Sequence, residues 1–194
     1  MRRDAQLRRD ALIAAGAECF AERGYSVPLE DVAARAGVGR GTLYRNFKDR
    51  QALAIAIFGK EIDRVAEVVV HEQAFRQSMI DLALIGARGT ALFGRIAAEL
   101  AADTENMAAF EALGGRLAAV LEPLAMRARN AGDLRRDIDG ETLGLALRMV
   151  GGLTYNVQGE TAARYQLNKA IDLILYGMAP QEISTDRYPD ILSG

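Results

Sequence analysis

The stretch Ala36-Gly37-Val38-Gly39-Arg40-Gly41-Thr42-Leu43-Tyr44-Arg45-Asn46-Phe47-Lys48 constrains this chain more than any other. It reads as a tight turn followed by a short helix. On a period of 3.6 residues, Leu43 and Phe47 share one side and pack inward, while Arg40, Thr42, Tyr44, Arg45 and Lys48 spread over the rest. Gly41 sits in the first turn, where the missing Cβ lets another backbone come close. An apolar anchor behind, with cations for phosphate and hydroxyl or guanidinium groups for base edges in front, is what the second helix of a helix-turn-helix needs.

The preceding segment agrees. Leu29, Val32, Ala33 and Ala36 fall on one helical face, Pro28 stands just ahead, and Glu30 and Asp31 lie in the first turn, where the helix dipole favours negative charge. Gly37 suits the left-handed residue that ends a helix, Val38 plugs the turn, and Gly39 is a tolerated N-cap. Helix, three-residue turn, helix is the prediction.

Residues from about Leu12 to Leu53 closely resemble the DNA-binding domain of TetR-family transcriptional regulators. The likeness rests on Phe20-Ala21-Glu22-Arg23-Gly24-Tyr25, Leu29-Glu30-Asp31-Val32-Ala33, Ala36-Gly37-Val38 and Gly41-Thr42-Leu43-Tyr44-Arg45-Asn46-Phe47-Lys48, which match in order and spacing. Gly39 stands where the family often has Ser or Thr, and Asn46 where it often has His. The resemblance implies contact with a double-stranded DNA operator through Arg40, Gly41, Thr42, Tyr44, Arg45 and Lys48. It also implies a homodimer, formed by the last two helices meeting their symmetry mates in a four-helix bundle, and an unidentified small-molecule effector. Repression is the family's usual mode.

A chain of 194 residues, half of them hydrophobic, is long enough for one small domain joined to one of ordinary size. Only four prolines, much Ala and Leu, and little two-residue alternation predict an all-α fold. The formal net charge of −2 divides unevenly: residues 1–50 hold ten Lys or Arg against seven Asp or Glu, a net of +3, and the remainder carries −5. The basic end is the end with the helix-turn-helix, where a polyanion would dock. The longest uncharged run, from Met149 to Gly159, is eleven residues, short of the roughly 18 to 20 needed to span a bilayer. With no secretory signal pattern and a single cysteine, Cys19, the expected localisation is cytoplasmic.

The first helix is expected from near Leu7 to Arg23, with Leu12, Ala15, Gly16, Cys19 and Phe20 inward and Tyr25 closing the small core. The opening from Met1 to Asp10, which carries Arg2, Arg3, Arg8 and Arg9 mixed with Asp4 and Asp10, forms either an arm reaching phosphate or a solvated helix start. Asp49 caps a fourth, long helix to about Val70, whose inner stripe is Ile55, Phe58, Ile62, Val65 and Val69. Further helices are expected at about 72–84, 88–101 and 104–130, the last kinked at Pro123, then 139–158 with Asp139 as its N-cap and 161–178, about nine in all. The domains are thus a DNA-binding head at 1–50, a helical ligand-binding and dimerisation domain at 51–180, and a loosely held tail at 181–194.

For the ligand pocket the candidates are Phe93, Met107, Phe110, Met126, Met149 and Tyr155, large or adaptable residues on the middle helices. Arg148 interrupts a helix otherwise uncharged beyond its first turn and is read as a salt bridge at the dimer rim in preference to an anion site. The lone His71 has no metal-binding neighbours, and no metal or cofactor is expected. With no Cys/His constellation, paired-carboxylate motif or phosphate-binding loop, an enzyme is not expected. The alternative is a helical ligand-binding or interaction protein that does not read DNA.

Overall fold

The computed structural model describes residues 2–86, 104–153 and 160–180, and these form helices joined by turns, with no strand among them. In chain order they are α1 (Arg2–Arg23), α2 (Leu29–Arg35), α3 (Arg40–Asn46), α4 (Arg50–Val69), α5 (75–86), α6 (Thr104–Ala131), α7 (Gly140–Leu153) and α8 (Glu160–Met178). The helix expected at 88–101, the stretch of 154–159 and the tail at 181–194 lie outside the described residues. α1 starts at Arg2 and not near Leu7. Its polar opening still suits a helix, because Asp4 complements the dipole and Gln6 donates to Asp10 one turn on.

α1 to α3 and the first half of α4 share one core. Leu12, Cys19 and Phe20 of α1 meet Leu29, Val32 and Ala33 of α2, Leu43 and Phe47 from the third helix and its cap, and Leu53, Ile57 and Phe58 of α4. Tyr25 closes it edge-on against Phe20, ring centres 5.4 Å apart. Gly16 lets α1 and α4 approach: a Cβ there would stand 3.1 Å from a Leu53 methyl and 3.2 Å from one of Ile57.

A second core gathers Val65 and Val69 of α4, Phe75, Met79 and Leu82 of α5, Leu121 and Leu124 of α6, Leu143 and Val150 of α7, and Leu167 and Ile171 of α8. α4 therefore belongs to both cores. The buried stripe of α4 is Leu53, Ala54, Ile57, Phe58, Ile62, Val65 and Val69, with Ile55 only partly buried. Helix caps agree with the sequence: the Asp49 carboxylate accepts the Ala52 N–H at 2.7 Å and Asp139 that of Thr142 at 2.8 Å.

The α6–α7 junction is stitched by one carboxylate. Glu122 accepts from Arg129 Nη2 and from the Gly140 N–H, both at 2.7 Å. The Arg129 hydrogen bond first, and then the Gly140 one, hold the Glu122 pKa below the ordinary glutamate value. A depressed carboxylate contributes stability above its unfolded pKa of about 4.3, and that contribution is lost as the pH falls through the folded value. Glu122→Gln should therefore be less stable than the parent at neutral pH, with the gap narrowing below about pH 4. Urea denaturation of both proteins across the acid range checks this; a gap that holds constant with pH would remove Glu122 from the acid limb.

Candidate functional site

The turn between α2 and α3 is fixed by backbone hydrogen bonds. Gly37 takes φ +67°, its N–H donates to Ala34 O at 3.1 Å, and Val38 N–H donates to Ala33 O at 3.0 Å. This doubly bonded termination satisfies two end carbonyls of α2 and swings the chain into α3. At the N-cap, Gly39 offers no side-chain acceptor, and its carbonyl receives the Thr42 and Leu43 N–H groups.

α3 then stands on Leu43 and Phe47, both essentially buried, each worth roughly 1.5–3 kcal/mol of burial. The opposite side carries the residues singled out by sequence. Arg40, Gly41, Tyr44, Arg45 and Lys48 are exposed and Thr42 is half-buried, so all of them share one outward surface. Their pairings differ. Arg40 Nε lies 3.2 Å from Glu30 Oε1 with its guanidinium over the Tyr44 ring, and the Tyr44 hydroxyl donates to the same Glu30 oxygen at 3.4 Å. Arg45 donates only to Thr42 Oγ1, at 3.2 Å, among the described residues. Lys48 Nζ rests 2.7 Å from Glu105 Oε2 at the start of α6. Asn46 turns away from the surface and donates to the Thr42 carbonyl at 2.8 Å.

Two supports of this surface differ from the expectation: Arg9, read as part of an arm or a solvated helix start, is turned inward onto the end of α3, and Asn106 carried no assignment. Arg9 of α1 donates to the Asn46 carbonyl at 3.0 Å and lies over the Phe47 ring at 4.4 Å, placing a cation at the negative C-terminus of α3. Its position three before Leu12 and seven before Gly16, on the same helical face, is a signal that was present in the sequence. Asn106 of α6 is buried and donates to Asp49 Oδ2 at 3.2 Å and Gln51 Oε1 at 3.0 Å. α6 is thereby fastened to the residue that caps α4.

A cavity of about 120 Å³ lies where α4 passes from one core to the other. Phe58, Ile62 and Val65 of α4 and Leu82 and Ile85 of α5 form one side; Leu113, Leu117 and Leu147 close the other. Glu61 and Arg148 are the charged residues of its described lining. Of the expected pocket residues, Phe93 and Tyr155 lie outside the described residues, and none of the other four lines this cavity. Met107 and Phe110 pack on the head core, Phe110 edge-on to Phe58 at 6.3 Å, while Met126 and Met149 face outward. The reason is helical phase: Leu121, Leu124, Ala125 and Ala128 take the inner face of α6, and Leu143, Leu147 and Val150 that of α7. Arg148 is a wall residue, with no ion pair among the described residues.

Comparison with known proteins follows the same division of the chain. Residues 12–57 match the model of the bacterial regulatory proteins of the tetR family. The HTH-type transcriptional activator FasR of Mycolicibacterium smegmatis is 34% identical over 70 residues, covering 36% of this chain and 31% of that protein, so the likeness spans about a third of that relative. The fold resembles that of the TetR transcription regulatory protein from Mycobacterium vanbaalenii, with a TM-score of 0.62 at 23% identity over 92% of this chain and 99% of that one. It likewise resembles the TetR transcriptional regulator SCO0520 from Streptomyces coelicolor, with a TM-score of 0.54 at 27% identity over 89% and 99%. A matching head with an exposed cationic helix, continued by a matching helical fold, gives residues 12–57 the DNA-binding domain of the tetR family and the described chain the fold of TetR transcriptional regulators.

Proposed function

We propose that two copies of the chain bind a near-palindromic operator as a repressor and leave it when a small molecule occupies the cavity beside α4. The observation that carries the reading is the outward surface of α3, cations and hydroxyls held on the buried Leu43 and Phe47. Residues 1–50 act as the reading head and 51–180 as the ligand-binding and dimerisation domain in this scheme. One helix this short reaches few base pairs, whereas two related by symmetry read half-sites about 34–36 Å apart or a multiple of that.

Dimerisation through α7 and α8 is supported by apolar side chains left in solvent. Leu145 and Met149 recur one turn apart on α7; Tyr165, Leu173 and Tyr176 run along one side of α8, the last two 74% and 76% exposed. A patch of this kind fits a two-fold, self-complementary contact with a second copy. Release by ligand requires different affinities in two states, with coupling typically of about 1–3 kcal/mol. Activation is the second reading, favoured by the name of the FasR relative. A cytoplasmic location goes with either.

Binding of the intact protein to a randomised duplex library, with the winners sequenced and affinity followed against salt, tests the scheme. A near-palindrome whose affinity falls steeply as salt rises is expected. If no sequence is enriched and binding is weak even at low salt, the chain is a helical ligand-binding protein that does not read DNA.

A further inference from the structure

Resting on the effector reading of the cavity, we propose that its ligand is a small organic anion, a monocarboxylate whose carboxylate sits on Arg148 and whose apolar body is about the size of one ring or a short acyl chain. Three observations carry this. Apart from Glu61 and Arg148, the described wall is Leu, Ile, Val and Phe side chains and three glycines, so the part of a ligand that fills the interior is apolar. The volume, about 120 Å³, is close to the roughly 150 Å³ of an apolar cavity that accepts benzene.

The third is charge. Glu61 is already answered, because Arg64 Nη1 lies 2.7 Å from its Oε1. Arg148 is half-buried and has no hydrogen-bonded or ion-paired partner among the described residues. Its Nη1 lies 3.6 Å from where a Cβ on Gly144 would stand, so the guanidinium folds back along α7 over a residue with no side chain. A guanidinium cannot shed its charge, and beside apolar walls it is poorly hydrated. A carboxylate supplies two parallel acceptors to that fork and leaves the ligand's remainder against the apolar side. With Glu61 compensated, the described lining keeps one net positive charge, which selects a monoanion over a cation or a neutral isostere.

The intact protein is titrated calorimetrically with benzoate and hexanoate, their alcohols, benzyl alcohol and hexanol, and their amines, benzylamine and hexylamine. The same compounds are then added to the complex with selected operator DNA. The carboxylates should bind about tenfold or more tightly than the alcohols, the size of one charge-assisted hydrogen bond, and the amines more weakly still. Arg148→Gln should abolish that preference while keeping the parent's thermal midpoint and its affinity for the alcohols; Arg148→Lys should restore part of it. Alcohols or amines binding as well as the acids would overturn the anion proposal and leave the effector reading intact. Failure of both acids to bind up to millimolar concentration would likewise overturn it. Acids that bind through Arg148 without changing DNA affinity would uphold the anion site and defeat the effector reading.

Discussion

Gly140→Ala is expected to lower the thermal midpoint of the whole chain by about 10 °C. Gly140 opens α7 against the backbone of α6, where a Cβ would stand 2.7 Å from the Glu122 nitrogen and 3.1 Å from the Ala118 carbonyl carbon, and closer still to the Ala118 oxygen. A side chain in the way could change rotamer, but a helix backbone cannot. The first turn of α7 must therefore move out, weakening the bond from the Gly140 N–H to Glu122 and the contacts of Leu143 and Leu147 that follow. Overpacking of this kind costs about 3 kcal/mol, and a chain of this size shifts by about 2–4 °C per kcal/mol. Gly115 provides the opposite case: it lies inside α6 with nothing within 4 Å of an added Cβ. Gly115→Ala should be neutral or stabilise by up to about 1 kcal/mol through helix propensity alone. Thermal and urea unfolding of the two variants decides the matter, since equal midpoints would mean that α6 and α7 are not in backbone contact at Gly140.

How much of this was legible in the sequence depends on the range of the interaction. Leu43 and Phe47, or Leu29, Val32 and Ala33, announce themselves because their spacing repeats within one or two turns, and Gly37 because only a residue without a Cβ takes its φ cheaply. Asp49 and Asp139 were likewise readable as caps, since a cap reaches only three residues. Asn106 was not: its partners Asp49 and Gln51 are more than fifty residues away, and nothing local distinguishes it from a solvated asparagine. The cavity was less legible still. Large, adaptable residues were the natural candidates, yet the described lining is mostly ordinary Leu, Ile and Val with the period of any core helix. A void arises where side chains from four helices fail to meet, and no single helix encodes that failure. Ile62 shows the point, buried on α4 yet belonging to neither core.

Arg45→Ala should weaken binding to the selected operator about 30-fold to 10⁴-fold, the second large effect. The outward surface of α3 offers two guanidinium groups, and their surroundings separate them. Arg40 is drawn back over Tyr44 and paired with Glu30, so it must give up an ion pair before it can reach a base. Among the described residues, Arg45 gives up only a hydrogen bond to Thr42. A bidentate contact from an arginine to guanine discriminates by about 1–3 kcal/mol, and in a two-fold dimer each substitution removes two such contacts, about 2–6 kcal/mol in all. Because the side chain is exposed, unfolding of the variant should stay within about 0.5 kcal/mol of the parent, so lost binding cannot be put down to a lost fold. Preference should also relax at two symmetric positions of the operator, read by repeating the library selection with the variant. Lys48→Ala should behave differently, weakening all sequences alike and reducing the slope of log affinity against log salt by about 0.9 for each phosphate released. If Arg45→Ala retains both the affinity and the preferred sequence, base reading belongs to other residues of the surface, and Arg40, released from Glu30 on contact with DNA, becomes the residue to replace next.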